Sequence, residues 1–99
     1  MPTNPLTINY SQKATEDLDA LRPFDQKKIV EGIETHLQHE PTKTSRSRIK
    51  QMNQPFWSHY RLRLDDFRVY YDVDEPNRTV TILRVFEKGR GQTPGEEGP

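Results

Sequence analysis

Cysteine is absent from this chain of 99 residues. That excludes a disulfide framework, a thiolate metal site and a thiol nucleophile, and it fits a reducing compartment. Apolar side chains are also scarce: hydrophobic residues make up 30% of the chain and charged residues another 30%. A chain this short and polar can bury one thin core, so a single domain is expected. No apolar run approaches the length of a membrane-spanning helix, and Met1-Pro2-Thr3-Asn4-Pro5 carries no basic patch leading into an apolar stretch. A cytoplasmic protein without membrane association is expected. Glycine is rare until the end of the chain, where Gly89, Gly91, Gly95 and Gly98 accompany Pro94 and Pro99. Residues 1–88 are therefore read as the folded domain and residues 89–99 as a flexible tail.

Net charge is absent too, at a formal value of +0, but the two signs are segregated along the chain. Residues 1–42 set seven acids against four bases, and residues 65–99 set eight acids against five bases. Between them, Lys43, Arg46, Arg48, Lys50, Arg61 and Arg63 stand with no acid at all. A local cationic field is expected there.

Leu6, Ile8 and Tyr10 alternate with polar residues in the period-2 pattern of a half-buried strand. Ser11 is placed to cap a helix in which Ala14, Leu18 and Leu21 share one face, and Pro23 ends that helix or opens the next. From Phe24 to about His39, Ile29, Val30, Ile33 and Leu37 mark a second amphipathic helix, closed by Pro41. Thr42 to Lys50 reads as a polar loop. Three strands follow, at about Phe56–Leu64, Phe67–Val73 and Thr79–Phe86, with turn residues between them. The order β-α-α-β-β-β predicts an α+β fold in two layers, a helical hairpin packed on a mainly antiparallel four-stranded sheet.

If Asp65-Asp66 is a two-residue turn, Leu64 pairs with Phe67, Arg63 with Arg68, Leu62 with Val69, Arg61 with Tyr70, Tyr60 with Tyr71 and His59 with Asp72. Tyr60, Leu62, Leu64, Phe67, Val69, Tyr71 and Val73 then face the helices, and His59, Arg61, Arg63, Arg68, Tyr70 and Asp72 face outward. Arg63 directly opposite Arg68 costs up to about 1 kcal/mol, which an anionic partner would offset. Arginine forks suit phosphate, and Tyr70 is read as a surface on which an unpaired RNA base stacks. The plain alternative is a solvated face whose arginines cover apolar neighbours and pair with Asp66 or Asp72.

The segment Tyr60-Arg-Leu-Arg-Leu-Asp-Asp-Phe-Arg-Val-Tyr-Tyr71, followed by Val80-Thr-Ile-Leu-Arg-Val85, resembles the meander of the RelE/ParE toxin superfamily, and with the preceding elements the resemblance covers about residues 6–88. In the RelE branch it implies an endoribonuclease that cuts messenger RNA on the ribosome, and a separate antitoxin that inhibits it in a hetero-oligomer. The family's basic residues on these strands fall on Arg61, Arg63 and Arg68, and a further family arginine falls on Lys88. Attack of a ribose 2′-hydroxyl on the neighbouring phosphate needs a base and cations around the crowded phosphorane, but no metal or cofactor. Arg61, Arg63, Arg68 and Lys88 are the candidates for charge stabilisation, and His59 for the acid or base. Arg46, Arg48, Lys50, Tyr70 and Arg90 are read as further RNA contacts.

The chain departs from the RelE pattern at the C-terminal tyrosine, which would fall near Pro94 in a tail without aromatics. That keeps a ParE-like inhibitor of DNA gyrase without chemistry of its own, or a non-toxic module retaining antitoxin or RNA affinity, as alternatives. Glu87 lies where many relatives carry histidine and is a weaker acid-base candidate. His36 and His39 have a spacing compatible with a metal but lack an evident third ligand. Phe56 and Trp57 are read as packing residues.

Overall fold

The computed structural model describes residues 4–88. The elements are β1 (Thr7–Tyr10), α1 (Gln12–Asp19), α2 (Pro23–Leu37), β2 (Ile49–Gln51), β3 (Tyr60–Leu64), β4 (Phe67–Asp74) and β5 (Thr79–Glu87). Ser11 caps α1, its hydroxyl accepting from the Ala14 N–H, and Ala14 and Leu18 point inward. Pro23 stands in the first turn of α2, where its missing N–H is not needed, and Ile29, Ile33 and Leu37 line one buried stripe. Asp25 in the first turn complements the helix dipole.

The strands form one sheet in the order β1-β5-β4-β3-β2, with β1 parallel to β5 and every other pair antiparallel. The fold class is the expected α+β sandwich, but the sheet has five strands and not four. The additional strand lies in the segment read as a loop. Ile49 is the one apolar residue in that run, and it is buried as it pairs with Leu62. The third expected strand also starts later, at Tyr60, because Phe56–Ser58 turns over the sheet's outer face before the chain enters β3.

The core lies between the helices and the inner face, with Ile29, Ile33, Leu37, Leu62, Val69, Tyr71, Val80 and Ile82 fully enclosed. Each such aliphatic side chain contributes roughly 1.5–3 kcal/mol. Gly32 lets α2 approach β3 closely, since a Cβ there would sit 2.8 Å from the Leu64 methyl carbons. The hydroxyl of Tyr71 donates to the Pro41 carbonyl at 2.6 Å, and burial raises its pKa.

Candidate functional site

The β3–β4 register is the one the sequence implies: Arg61 opposes Tyr70, and Arg63 opposes Arg68, across the Asp65-Asp66 turn. Asp65 adopts φ 52, a left-handed conformation that aspartate tolerates better than most residues. β2 extends the outward face by another strand. Lys50 lies opposite Arg61, and Arg48 is fastened to Arg63 in both directions: the Arg63 N–H donates to the Arg48 carbonyl at 2.8 Å, and Arg48 Nη1 donates to the Arg63 carbonyl at 3.0 Å. Two cross-strand rows result, Arg48–Arg63–Arg68 and Lys50–Arg61–Tyr70, separated by about 7 Å along the strands.

The loop before β2 is folded by Ser45. Its hydroxyl accepts from the N–H groups of Arg48 and Ile49, and its own N–H donates to the Ile49 carbonyl. That turn places Arg46 beside the sheet. A cleft of about 270 Å³ is lined by Arg46, Arg48, Lys50, Arg61 and Arg63, with Ser45 and Ser47 between them and no acid. Among the described residues none of these five, nor Arg68, is in an ion pair. Burial, then the charges of Arg63 and Arg61, lower the pKa of the Arg68 guanidinium, which donates to the carbonyls of Asp65 and Phe67. The Arg61 Nε is buried without a hydrogen-bond partner. Like charges thus meet at Arg48/Arg63, Arg63/Arg68 and Lys50/Arg61, each juxtaposition costing up to about 1 kcal/mol.

Three of the expected site residues behave differently. Tyr70 is only 3% exposed and offers no open stacking surface. Trp57 and Phe56 stack on each other with ring centroids 4.8 Å apart and lie over Tyr70 at 5.0 and 6.0 Å, while Phe86 meets it edge-on at 5.8 Å. Alternation along β4 fixes the outward direction of Tyr70; it does not reveal that a distant segment covers it. His59, half exposed, is held at the far end of the face by Asp72, whose Oδ1 accepts from the His59 N–H at 2.7 Å and lies 3.4 Å from Nδ1. Lys88 lies at the opposite end, its N–H bonded to the Asp66 carbonyl at 2.6 Å. Counting along β4, His59 and Lys88 are about 20 Å apart and cannot serve one phosphate.

Glu87 pairs in register with Phe67, on the side away from the arginines. Arg90 and the tail lie outside the described residues. Among the described residues no group of three His, Asp or Glu side chains could hold a metal ion, and no helix is long and apolar enough to cross a membrane. Burial and the nearby Arg48 lower the pKa of His36.

Sequence reasoning missed Asp17 and Arg84. Arg84 donates from Nε and Nη2 to the two carboxylate oxygens of Asp17, at 2.8 and 3.0 Å, and the Val85 N–H donates to the same carboxylate at 2.9 Å. β1 ends at its Tyr10–Ile82 pairing, so the edge of β5 beyond it is covered by α1, which delivers Asp17. Leu83 is a bulge, for Tyr70 pairs with Arg84 while Tyr71 pairs with Ile82, and this turns Arg84 outward.

A sequence profile for the ParE toxin of the type II toxin-antitoxin system parDE matches residues 8–90. The chain belongs to this family. It is a type II toxin of the RelE/ParE superfamily. Among solved structures it is similar to a chain of the RelBE2 toxin-antitoxin complex from Mycobacterium tuberculosis, with 26% identity and a TM-score of 0.76 over 88% of this chain and 95% of that one. It shares its fold with a chain of the archaeal RelE-RelB complex from Pyrococcus horikoshii, at 22% identity and TM-score 0.68 over 87% and 98%. The isolated E. coli RelE toxin has the same fold at 16% identity and TM-score 0.64, covering 88% of each chain. A search of curated protein sequences finds no match.

Proposed function

We propose that this toxin acts on the ribosome as a metal-independent endoribonuclease that cuts messenger RNA and arrests translation in the cytoplasm, and that a cognate antitoxin inhibits it by covering the cationic face in a hetero-oligomer. The observation that carries this reading is the acid-free cluster of Arg48, Lys50, Arg61, Arg63 and Arg68 on one sheet face. Folding gains nothing from three like-charge juxtapositions, and the planar forks of arginine match the oxygens of a phosphate. Partly buried arginines also stabilise a phosphorane more strongly than solvated ones.

The scissile phosphate fits between Arg61 and the Arg63/Arg68 pair. His59 stands two residues from Arg61 on the same face, about 7 Å along the strand, and Asp72 engages its Nδ1, leaving Nε2 to take the proton of the 2′-hydroxyl. The 2′-oxygen bonds to phosphorus, the bond to the 5′-oxygen breaks, and that oxygen takes a proton from water. Lys88, at the other end, acts only on a neighbouring part of the strand.

Mapping of messenger RNA ends after induction tests the reading. Wild-type protein is expected to produce new ends on ribosome-bound messages. Arg68→Ala is expected to lower cutting by about 10²–10³-fold with an unfolding midpoint at or above that of wild type. Cutting that is unchanged in Arg68→Ala removes the assignment. A second reading, ParE-like inhibition of gyrase by binding alone, is favoured by the family profile, which is that of a ParE toxin. Inhibited supercoiling with messenger RNA intact selects it.

A further inference from the structure

The cationic cluster has borders, and they are unequal. Toward β5 the face is closed: Phe56 and Trp57 cover Tyr70, and Arg84 is held by Asp17 while its guanidinium carbon lies 4.6 Å from the centre of the Phe86 ring. At one end of the strands Asp72 sits with His59, and at the other the turn carries Asp65 and Asp66. Only the side toward β2 continues without an acid, through Arg63 and Arg48 into the cleft formed with Arg46, Lys50 and the two serines.

From this geometry we infer that the Arg46/Arg48/Lys50 cleft is a second phosphate subsite, and that single-stranded RNA crosses the strands from β4 over β3 to β2 and does not run along them. The inference rests on the RNA reading above and adds to it a direction and a minimum length. Arg61 and Arg63 of β3 border both positions, but β4 and β2 are about 10 Å apart, more than one phosphate can bridge, so a phosphate held on the β4 side between Arg63 and Arg68 leaves Arg46, Arg48 and Lys50 to a later phosphate of the same strand. The cleft walls come from a loop, β2 and β3, and the hydrogen bonds of Ser45 fix the loop without using the side chains of Arg46, Arg48 or Lys50. Electropositive grooves that track a strand bind it without reading its bases, and the contribution of each cation appears in the salt dependence.

The double variant Arg46→Gln/Lys50→Gln tests this, because both side chains are exposed and neither makes a hydrogen bond or ion pair among the described residues. Binding is measured by fluorescence anisotropy with a 2′-O-methyl dinucleotide, whose single phosphate cannot reach both positions, and with a 2′-O-methyl oligonucleotide of about eight nucleotides, neither of which can be cut. For the longer one, the variant is expected to lose about tenfold in affinity at low salt, with a salt slope shallower by roughly 0.7, the loss of one phosphate contact. For the shorter one, affinity is expected to stay within about twofold of wild type. An equal loss at both lengths, or none at the longer, overturns the subsite. Cutting of messenger RNA by wild-type protein is scored separately, so failure of the ribonuclease reading is seen independently of the length effect.

Discussion

Arg84 and Arg63 project from the same face of the same sheet, yet only Arg84 is given a carboxylate. Near β5, Asp17 grips Arg84 from two sides and also satisfies the Val85 N–H, Tyr70 is sealed beneath the Phe56 and Trp57 rings, and Phe86 is buried beneath the Arg84 guanidinium. Near β2, Arg63 stands between Arg48 and Arg68 with no acid in contact. The first half of the face is built as structure, with charge neutralised and rings covered. The second half retains a repulsion that could have been relieved by one acidic substitution. Within a single face, pairing separates the arginine that supports the fold from those kept available for an anion.

The largest effect that tests this contrast comes from the paired half. Asp17→Asn leaves Arg84, whose side chain is only 15% exposed, without its counter-charge and weakens the bond to the Val85 N–H. A loss of about 3 kcal/mol is expected, seen as a lower urea midpoint at an unchanged slope. RNA affinity should change little in that variant. Unaltered stability would remove Asp17–Arg84 from the structural half. An opposite and smaller effect is expected from Arg63→Gln. Relief of the repulsion with Arg68 and Arg48 should raise stability by about 0.5–1 kcal/mol at low salt, and the gain should shrink as salt is added. A stability loss from Arg63→Gln would mean that the arginine half also supports the fold.

How much of this division could be read from the sequence depends on how local its causes are. The alternation on either side of a two-residue turn fixes the hairpin register, so the sequence alone puts Arg61, Arg63 and Arg68 on one face. β2 was not legible because three residues with one apolar side chain, Ile49, carry no periodicity. Without that strand, Arg48 and Lys50 could not be joined to the same face. Tyr70 was read as open because its cover, Phe56 and Trp57, arrives from a segment whose path over the sheet no local rule dictates. Asp17 and Arg84 are 67 residues apart, and a bulge at Leu83 sets their meeting. Gly32 resembled any helical glycine until Leu64 was seen against it.

The smallest effect concerns the acid at the border of the unpaired half. Lys28 Nζ on α2 reaches Asp65 Oδ2 at 2.5 Å, and this hydrogen bond, followed by the Lys28 charge, holds the Asp65 carboxyl below its ordinary value of 3.8. A carboxyl depressed in the folded state stabilises above the unfolded value and loses that contribution as pH falls through the folded one. Lys28 is raised above its ordinary value of 10.5 by the same bond, so its share is present below 10.5 and is lost as pH rises through the folded value. Both groups are solvated, and the pair contributes little. Asp65→Asn should therefore lower the melting temperature slightly at neutral pH, and the difference from wild type should vanish well below pH 3.8 and shrink at about 1 M salt. The same variant removes an acid from the edge of the arginine cluster, so RNA affinity should rise slightly while stability falls. If both fall together, Asp65 belongs to the binding surface and is not one of its borders.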